Sequence, residues 1–176
     1  MDHLTSQMLT SSQERIVVES LRISLQAAAR HASPDRAGAL TQAAALLDPA
    51  GTVPAHPSWP PLGTTVTREL EVTDQDTAAA MGHPDPSVDV LGSPRISLWC
   101  ELVSEEALPG PDADLTHVGA GILVHHLGRA AVGDRVTVRV TLESVSGRRG
   151  VFSCILTRGE ELVALATHHR VVIERR

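Results

Sequence analysis

The sequence has 176 residues, 42% hydrophobic and 20% charged, with a formal net charge of −6. That length holds one enlarged domain, or one domain with an appendage, and the acidic balance argues against a nucleic-acid surface, which needs a concentrated basic patch. The aromatic residues are Trp59, Trp99 and Phe152, and all basic residues other than histidine are arginine, so the core rests on aliphatic side chains and a Schiff-base lysine is excluded.

The first third reads as helical. Ser11 and Glu14 have capping-box spacing, and Val17, Leu21, Leu25 and Ala28 recur at helical intervals. Ser33-Pro34-Asp35 opens a second helix, with an apolar stripe of Ala37, Leu40, Ala44 and Leu47. Pro49, Pro54, Pro57, Pro60 and Pro61 then follow closely, so residues 48–63 are expected to be a linker. Thr64 to Val72 reads as a strand, and a short Ala-rich helix is expected at about 73–82. Ser93-Pro94 opens a longer helix through about Ala107, with Ser93 as its N-cap and Ile96, Trp99, Cys100, Val103 and Ala107 on its buried stripe.

The remainder is strand-like. Residues 117–127 alternate, with Val118, Ala120, Ile122, Val124 and His126 on one face and Gly119 and Gly121 on the other. Val136, Val138, Val140 and Leu142 alternate strictly with polar residues, Val151 to Thr157 is the next strand, and Leu162 to Ile173 the last. Short turns at Gly128–Gly133, Ser146-Gly147 and Gly159-Glu160 predict antiparallel neighbours along the chain. One helix on one face of an antiparallel sheet is an α+β layer.

No apolar run approaches the ~20 residues that span a bilayer, and the N-terminus has no basic start followed by an apolar run. A soluble, cytoplasmic protein without membrane contact is expected. Cys100 and Cys154 have neither metal-ligand nor disulfide-framework spacing and read as buried core residues.

The order of elements, with VLGSPRISLWCELV (90–103), HVGAGILVHHLGRAAVGDRVTV (117–138), LESVSGRRGVF (142–152) and ATHHRVVIE (166–174), resembles the hotdog-fold acyl-CoA thioesterases, and more narrowly their fluoroacetyl-CoA thioesterase branch. The resemblance covers about residues 64–176. It implies a curved antiparallel sheet wrapped around one long helix, and the two-helix extension read over 1–47 lies outside it. It further implies hydrolysis of an acyl thioester, on CoA or an acyl-carrier protein, in a homodimer without metal or cofactor. By position it implies a catalytic set of Ser93, Glu101 and His126. Gly119, His168 and Arg170, the last two within Thr167-His168-x-Arg170, fall on substrate-binding positions. Ser87 stands where the branch carries an aromatic gate, so hydrolysis carries over better than fluoroacetyl selectivity.

The residues themselves leave alternatives open. Ser93 fits an N-cap as well as a carbonyl-binding hydroxyl. Periodicity places Glu101 with Ser97, Ser104 and Glu105 on a polar stripe, which suits a solvated face as well as a cleft. His126 fits the edge of the core or acid–base chemistry, and His168 with Arg170 fits a polar surface pair or an anion contact. If Glu101 is catalytic, it acts as base toward water or attacks the carbonyl. The competing function is a non-catalytic acyl-binding or regulatory module with residues 1–60 as its partner arm. A hotdog hydratase ranks behind both, because the usual Asp/His pair is missing.

Overall fold

The computed structural model describes residues 32–46, 54–110 and 114–175, with positions 18, 21, 22, 25, 26 and 29. The chain divides into two compact units, Met1–Gly51 and Thr52–Arg176. In the first, helix α1 spans Pro34–Leu46, and its first turn closes on the Ser33 carbonyl, as expected with proline at the first helical position. The helix expected at 11–28 and the stretch 47–53 lie outside the described residues, apart from the isolated positions.

The second unit is one antiparallel sheet and one helix. The strands are β1 (Thr65–Glu71), β2 (Leu115–His126), β3 (Arg135–Ser146), β4 (Arg149–Arg158) and β5 (Glu161–Glu174), in the order β1-β3-β4-β5-β2. Helix α2 spans Ser93–Glu106. Ile96, Trp99, Cys100, Val103 and Ala107 are buried against the sheet, where they meet Val136, Val138, Val140, Phe152 and Leu156. The buried stripe is the one the 3.6-residue period marks. Cys100 and Cys154 are both fully buried, and the hydrogen bond with Cys100, together with burial, pushes the Cys154 thiol up.

Four local readings are corrected. The Ala-rich stretch at 73–82 is not a helix. Asp74–Asp76 makes one 3-10 turn, and turns follow. Asp76 is nearly buried there, accepting from the Thr73 amide and hydroxyl and pairing with Arg95 at 2.6 Å. Those contacts compete with helix propagation and tie the segment to the first turn of α2.

The β2–β3 connection is not a hairpin. β2 pairs with β5 at the sheet edge, and β1 occupies the place beside β3. Residues 127–134 carry the chain between non-adjacent strands. They are anchored by amides of Leu127 and Gly128 on the Val163 carbonyl and by a bridge between Ala131 and Val90.

The alternation of β2 is also broken. Its register against β5 shifts between Gly119 and Gly121. Gly119 opposes Arg170, while Ile122 opposes His168, Val124 opposes Ala166 and His126 opposes Ala164. Directly opposed residues share a face, so the bulge brings Gly119 onto the face of His126, the one that meets the helix.

Finally, Gly92 is the N-cap of α2, so Ser93 is its first helical residue and its hydroxyl is not the cap. Residues 54–63 lie on the sheet. The Trp59 ring covers Gly150, packs edge-on against His117 with ring centroids 4.7 Å apart, and donates from its indole nitrogen to the Gly147 carbonyl at 3.2 Å. A Cβ on Gly150 would fall 2.6 Å from that ring, so glycine there makes room for the tryptophan.

Candidate active site

Helix α2 and strand β2 lie side by side in opposite senses, with Ser93 beside His126 at one end and Glu101 beside Gly119 further on. Ser93, Ser97 and Glu101 are four residues apart and form one stripe of the helix. Released from capping, the Ser93 hydroxyl hydrogen-bonds His126 Nδ1 at 3.0 Å. Both residues are exposed at this end of the seam. The same end carries the positive dipole end of a helix, which favours a developing oxyanion.

Two turns on, the Glu101 carboxylate occupies the space that a side chain at position 119 would fill. A Cβ on Gly119 would lie 2.7 Å from Glu101 Oε1 and 3.2 Å from His168 Nε2. The glycine therefore admits both groups to one spot on the sheet. Glu101 is exposed along this seam, whereas His168 and Arg170 are each only 2% exposed and form no surface pair.

The buried side of this cluster is organised by Ser104. It is fully buried although its position reads as polar in the helical period. Its hydroxyl donates to the Glu101 carbonyl at 2.7 Å and contacts His168 Nδ1 at 3.0 Å. Arg170 Nη1 donates to the same hydroxyl oxygen at 3.0 Å and to the Glu101 carbonyl at 3.3 Å. Arg170 Nη2 donates to the Glu105 carboxylate and to the His117 carbonyl at 3.2 Å. The guanidinium thus joins α2, β2 and β5. Burial lowers its pKa and the carboxylates of Glu105 and Glu101 raise it.

Burial, then the charges of Arg170 and His169, hold the His168 imidazole down at about 4, from 6.5. His168 is therefore neutral in the folded chain near pH 7. Between these values the unfolded chain binds the proton and the folded chain does not. The stability tied to neutral His168 is thus complete above pH 6.5 and is lost as pH falls toward 4. The slope is at most about 1.4 kcal/mol per pH unit for one proton. Urea denaturation across this range should show a falling midpoint in the natural chain and a flatter one in His168→Gln. Parallel curves would contradict the assignment.

Ser87 makes its hydrogen bonds within its own loop. It is exposed, and its hydroxyl and amide both donate to Asp85 Oδ1, at 2.7 and 2.9 Å, closing a local turn. Of the residues singled out from sequence, the geometry gathers Ser93 with His126, and Glu101 with Gly119, His168 and Arg170. The helical period put Ser104 and Glu105 on the polar stripe of Glu101 but gave them no role. Their spacing of three and four residues from Glu101 was the available signal. Among the described residues no group of three or more His, Cys, Asp or Glu side chains is placed to hold a metal ion, and no helix is long and apolar enough to cross a membrane.

The family of fluoroacetyl-CoA-specific thioesterases, FlK, matches residues 72–176. A search of curated proteins finds no match. Among solved structures, a hot-dog-like protein from Thermanaerovibrio acidaminovorans is similar at 26% identity and a TM-score of 0.61, over 65% of this chain and 84% of that one. A mutant of the fluoroacetyl-CoA-specific thioesterase FlK, in complex with fluoroacetate and CoA, is similar in fold at 24% identity and a TM-score of 0.59, over 64% and 94% of the two chains. A thioesterase superfamily member from Thermus thermophilus follows at 21% identity and a TM-score of 0.58, over 65% and 84%. The sheet wrapped on one helix is thus a hotdog fold, and the chain belongs to the fluoroacetyl-CoA-specific thioesterase family.

Proposed function

We propose that the protein hydrolyses an acyl-CoA thioester to the free acid and CoA, with Ser93, His126 and Glu101 acting on one bound acyl group along the α2–β2 seam. The observation that carries this reading is the Glu101 carboxylate held over Gly119, on the same seam as the Ser93–His126 hydrogen bond. The thioester carbonyl is oriented at the helix start by the Ser93 hydroxyl, where the positive end of the helix dipole favours the developing oxyanion. His126 holds that hydroxyl in place and stands ready to protonate the departing thiolate. Glu101 removes a proton from the attacking water. The new C–O bond forms on the acyl carbon, the C–S bond breaks, and the thiol takes up a proton. An acyl-carrier thioester would present the same reacting atoms.

Two supports are physical. A hydroxyl freed from the N-cap and bonded to an imidazole is more than a helix-stabilising serine. A glycine that leaves room for a carboxylate is more than a packing glycine. The exposed Ser87 gives no apolar gate, so selectivity for a fluorinated acyl group is not expected. Ser93→Ala should lower kcat about tenfold or more while leaving thermal stability within about 0.5 kcal/mol, because Gly92 supplies the cap. Equal kcat in the variant would remove Ser93 from the mechanism.

The assembly in this reading is a two-fold dimer of the 18.7 kDa chain. β2 ends the sheet as an edge strand, and Ile122, Leu123 and Leu127 on or beside it are exposed, as are Leu98 and Leu102 on α2. An apolar edge of this length is ordinarily covered. Thiol release from a panel of short-chain acyl-CoAs tests the activity directly. Steady release supports hydrolysis, whereas tight binding without release supports an acyl-binding module instead.

A further inference from the structure

We propose that His168 is a further catalytic residue: with the Glu101 carboxylate it holds the hydrolytic water over Gly119, and Ser104 is the positioning residue that sets its tautomer. The inference rests on the hydrolase reading above. It follows from a donor-and-acceptor account of a buried hydroxyl.

Ser104 has one proton to donate. At 2.7 Å from the Glu101 carbonyl oxygen, the hydroxyl must donate there, since two acceptor oxygens that close would repel. Arg170 Nη1 can only donate, and it fills one lone pair of the hydroxyl at 3.0 Å. The contact at 3.0 Å to His168 Nδ1 therefore uses the remaining lone pair, so Nδ1 carries the imidazole proton. Nε2 of the neutral ring is left as a bare acceptor. The burial and neighbouring positive charge that hold this ring neutral act in the same direction.

That bare nitrogen and Glu101 Oε1 lie 3.2 and 2.7 Å from the point where a Cβ on Gly119 would stand, so the missing side chain leaves space between them. The two atoms are no farther apart than two hydrogen bonds through one shared oxygen reach, about 6 Å. A carboxylate and a bare imidazole nitrogen are both acceptors and cannot satisfy each other. They call for a group with two protons to give. A substrate hydroxyl has one and would satisfy one acceptor only. A water molecule has two and satisfies both. In the reaction its oxygen bonds to the acyl carbon, its proton on the Glu101 side passes to that carboxylate, and as the C–S bond breaks the thiolate leaves with a proton from His126. His168 keeps the oxygen aimed throughout and remains neutral.

The test uses the full-length chain. Nitrogen-15 NMR of the imidazoles should find His168 protonated at Nδ1, and protonation at Nε2 would overturn the proposal whatever the variants do. His168→Gln should lower kcat for acetyl-CoA by about 10–10²-fold with KM nearly unchanged. Ser104→Ala should lower kcat in the same way, and Ser104→Thr should restore most of it. An unchanged kcat in His168→Gln, or a loss expressed only in KM, would contradict the role. A natural chain that releases no thiol from any acyl-CoA would instead defeat the hydrolase reading, while the NMR measurement would still report the tautomer.

Discussion

Replacing Glu101 by glutamine should cut kcat for acyl-CoA hydrolysis by about 10²–10⁴-fold, the range that a positioned general base contributes. Gln keeps the shape and length of the side chain but accepts a proton poorly. Glu101 is exposed, and its side chain lies over a glycine without anchoring the core. The buried contacts of its residue are made by its carbonyl oxygen, which accepts from Ser104 and Arg170 and is the same in Gln. The fold, the thermal midpoint and binding of CoA should therefore persist. Stopped-flow thiol detection with a parallel melting curve separates the two effects. Full turnover in Glu101→Gln would remove the carboxylate from the mechanism.

The second large effect is expected at Gly119. An alanine there places its Cβ 2.7 Å from Glu101 Oε1 and 3.2 Å from His168 Nε2. The nearer atom is the far end of a flexible, exposed side chain, so the fold can yield by turning the carboxylate aside. Moving a catalytic group by about 1 Å can cost on the order of 10²-fold in rate. Gly119→Ala should thus lose about 10²-fold in kcat with little change in thermal stability. Loss of folded protein instead would mean that the glycine serves packing alone. Undiminished turnover would place the reacting atoms elsewhere.

These two positions also show where the sequence was legible. The buried stripe of α2 was readable because five apolar residues follow one helical period and nothing competes with it. The polar stripe was ambiguous for a physical reason. Ser104 sits on it yet is fully buried, because Arg170 and His168 reach across from β5 to satisfy its hydroxyl. Periodicity sees the side-chain type but not the partner that another strand brings. Strict alternation along β2 put Gly119 on the face away from His126, and the bulge between Gly119 and Gly121 reversed that parity. A one-residue irregularity flips every face assignment before it, and two glycines around Ala120 give only a weak hint of it.

The place of β2 was hidden in a similar way. The glycines at 128 and 133 look like hairpin punctuation, but the segment between them spans strands that are not neighbours. The bond between Ser93 and His126 depends on that crossover, since it leaves β2 beside the helix start with its last residue facing Ser93. The N-cap likewise moved by one residue to Gly92. That small shift turns Ser93 from a structural serine into one whose hydroxyl is available for other chemistry.

The most direct measurement is a crystal structure of the protein with a non-hydrolysable acetyl-CoA analogue, a ketone or thioether in place of the thioester. The account predicts the acyl group on the α2–β2 seam. The group standing for the carbonyl should lie at the start of α2 within hydrogen-bond reach of Ser93, and Glu101 should contact the acyl carbon through one intervening water. An analogue bound away from that seam, with Glu101 and Ser93 both facing bulk solvent, would contradict it.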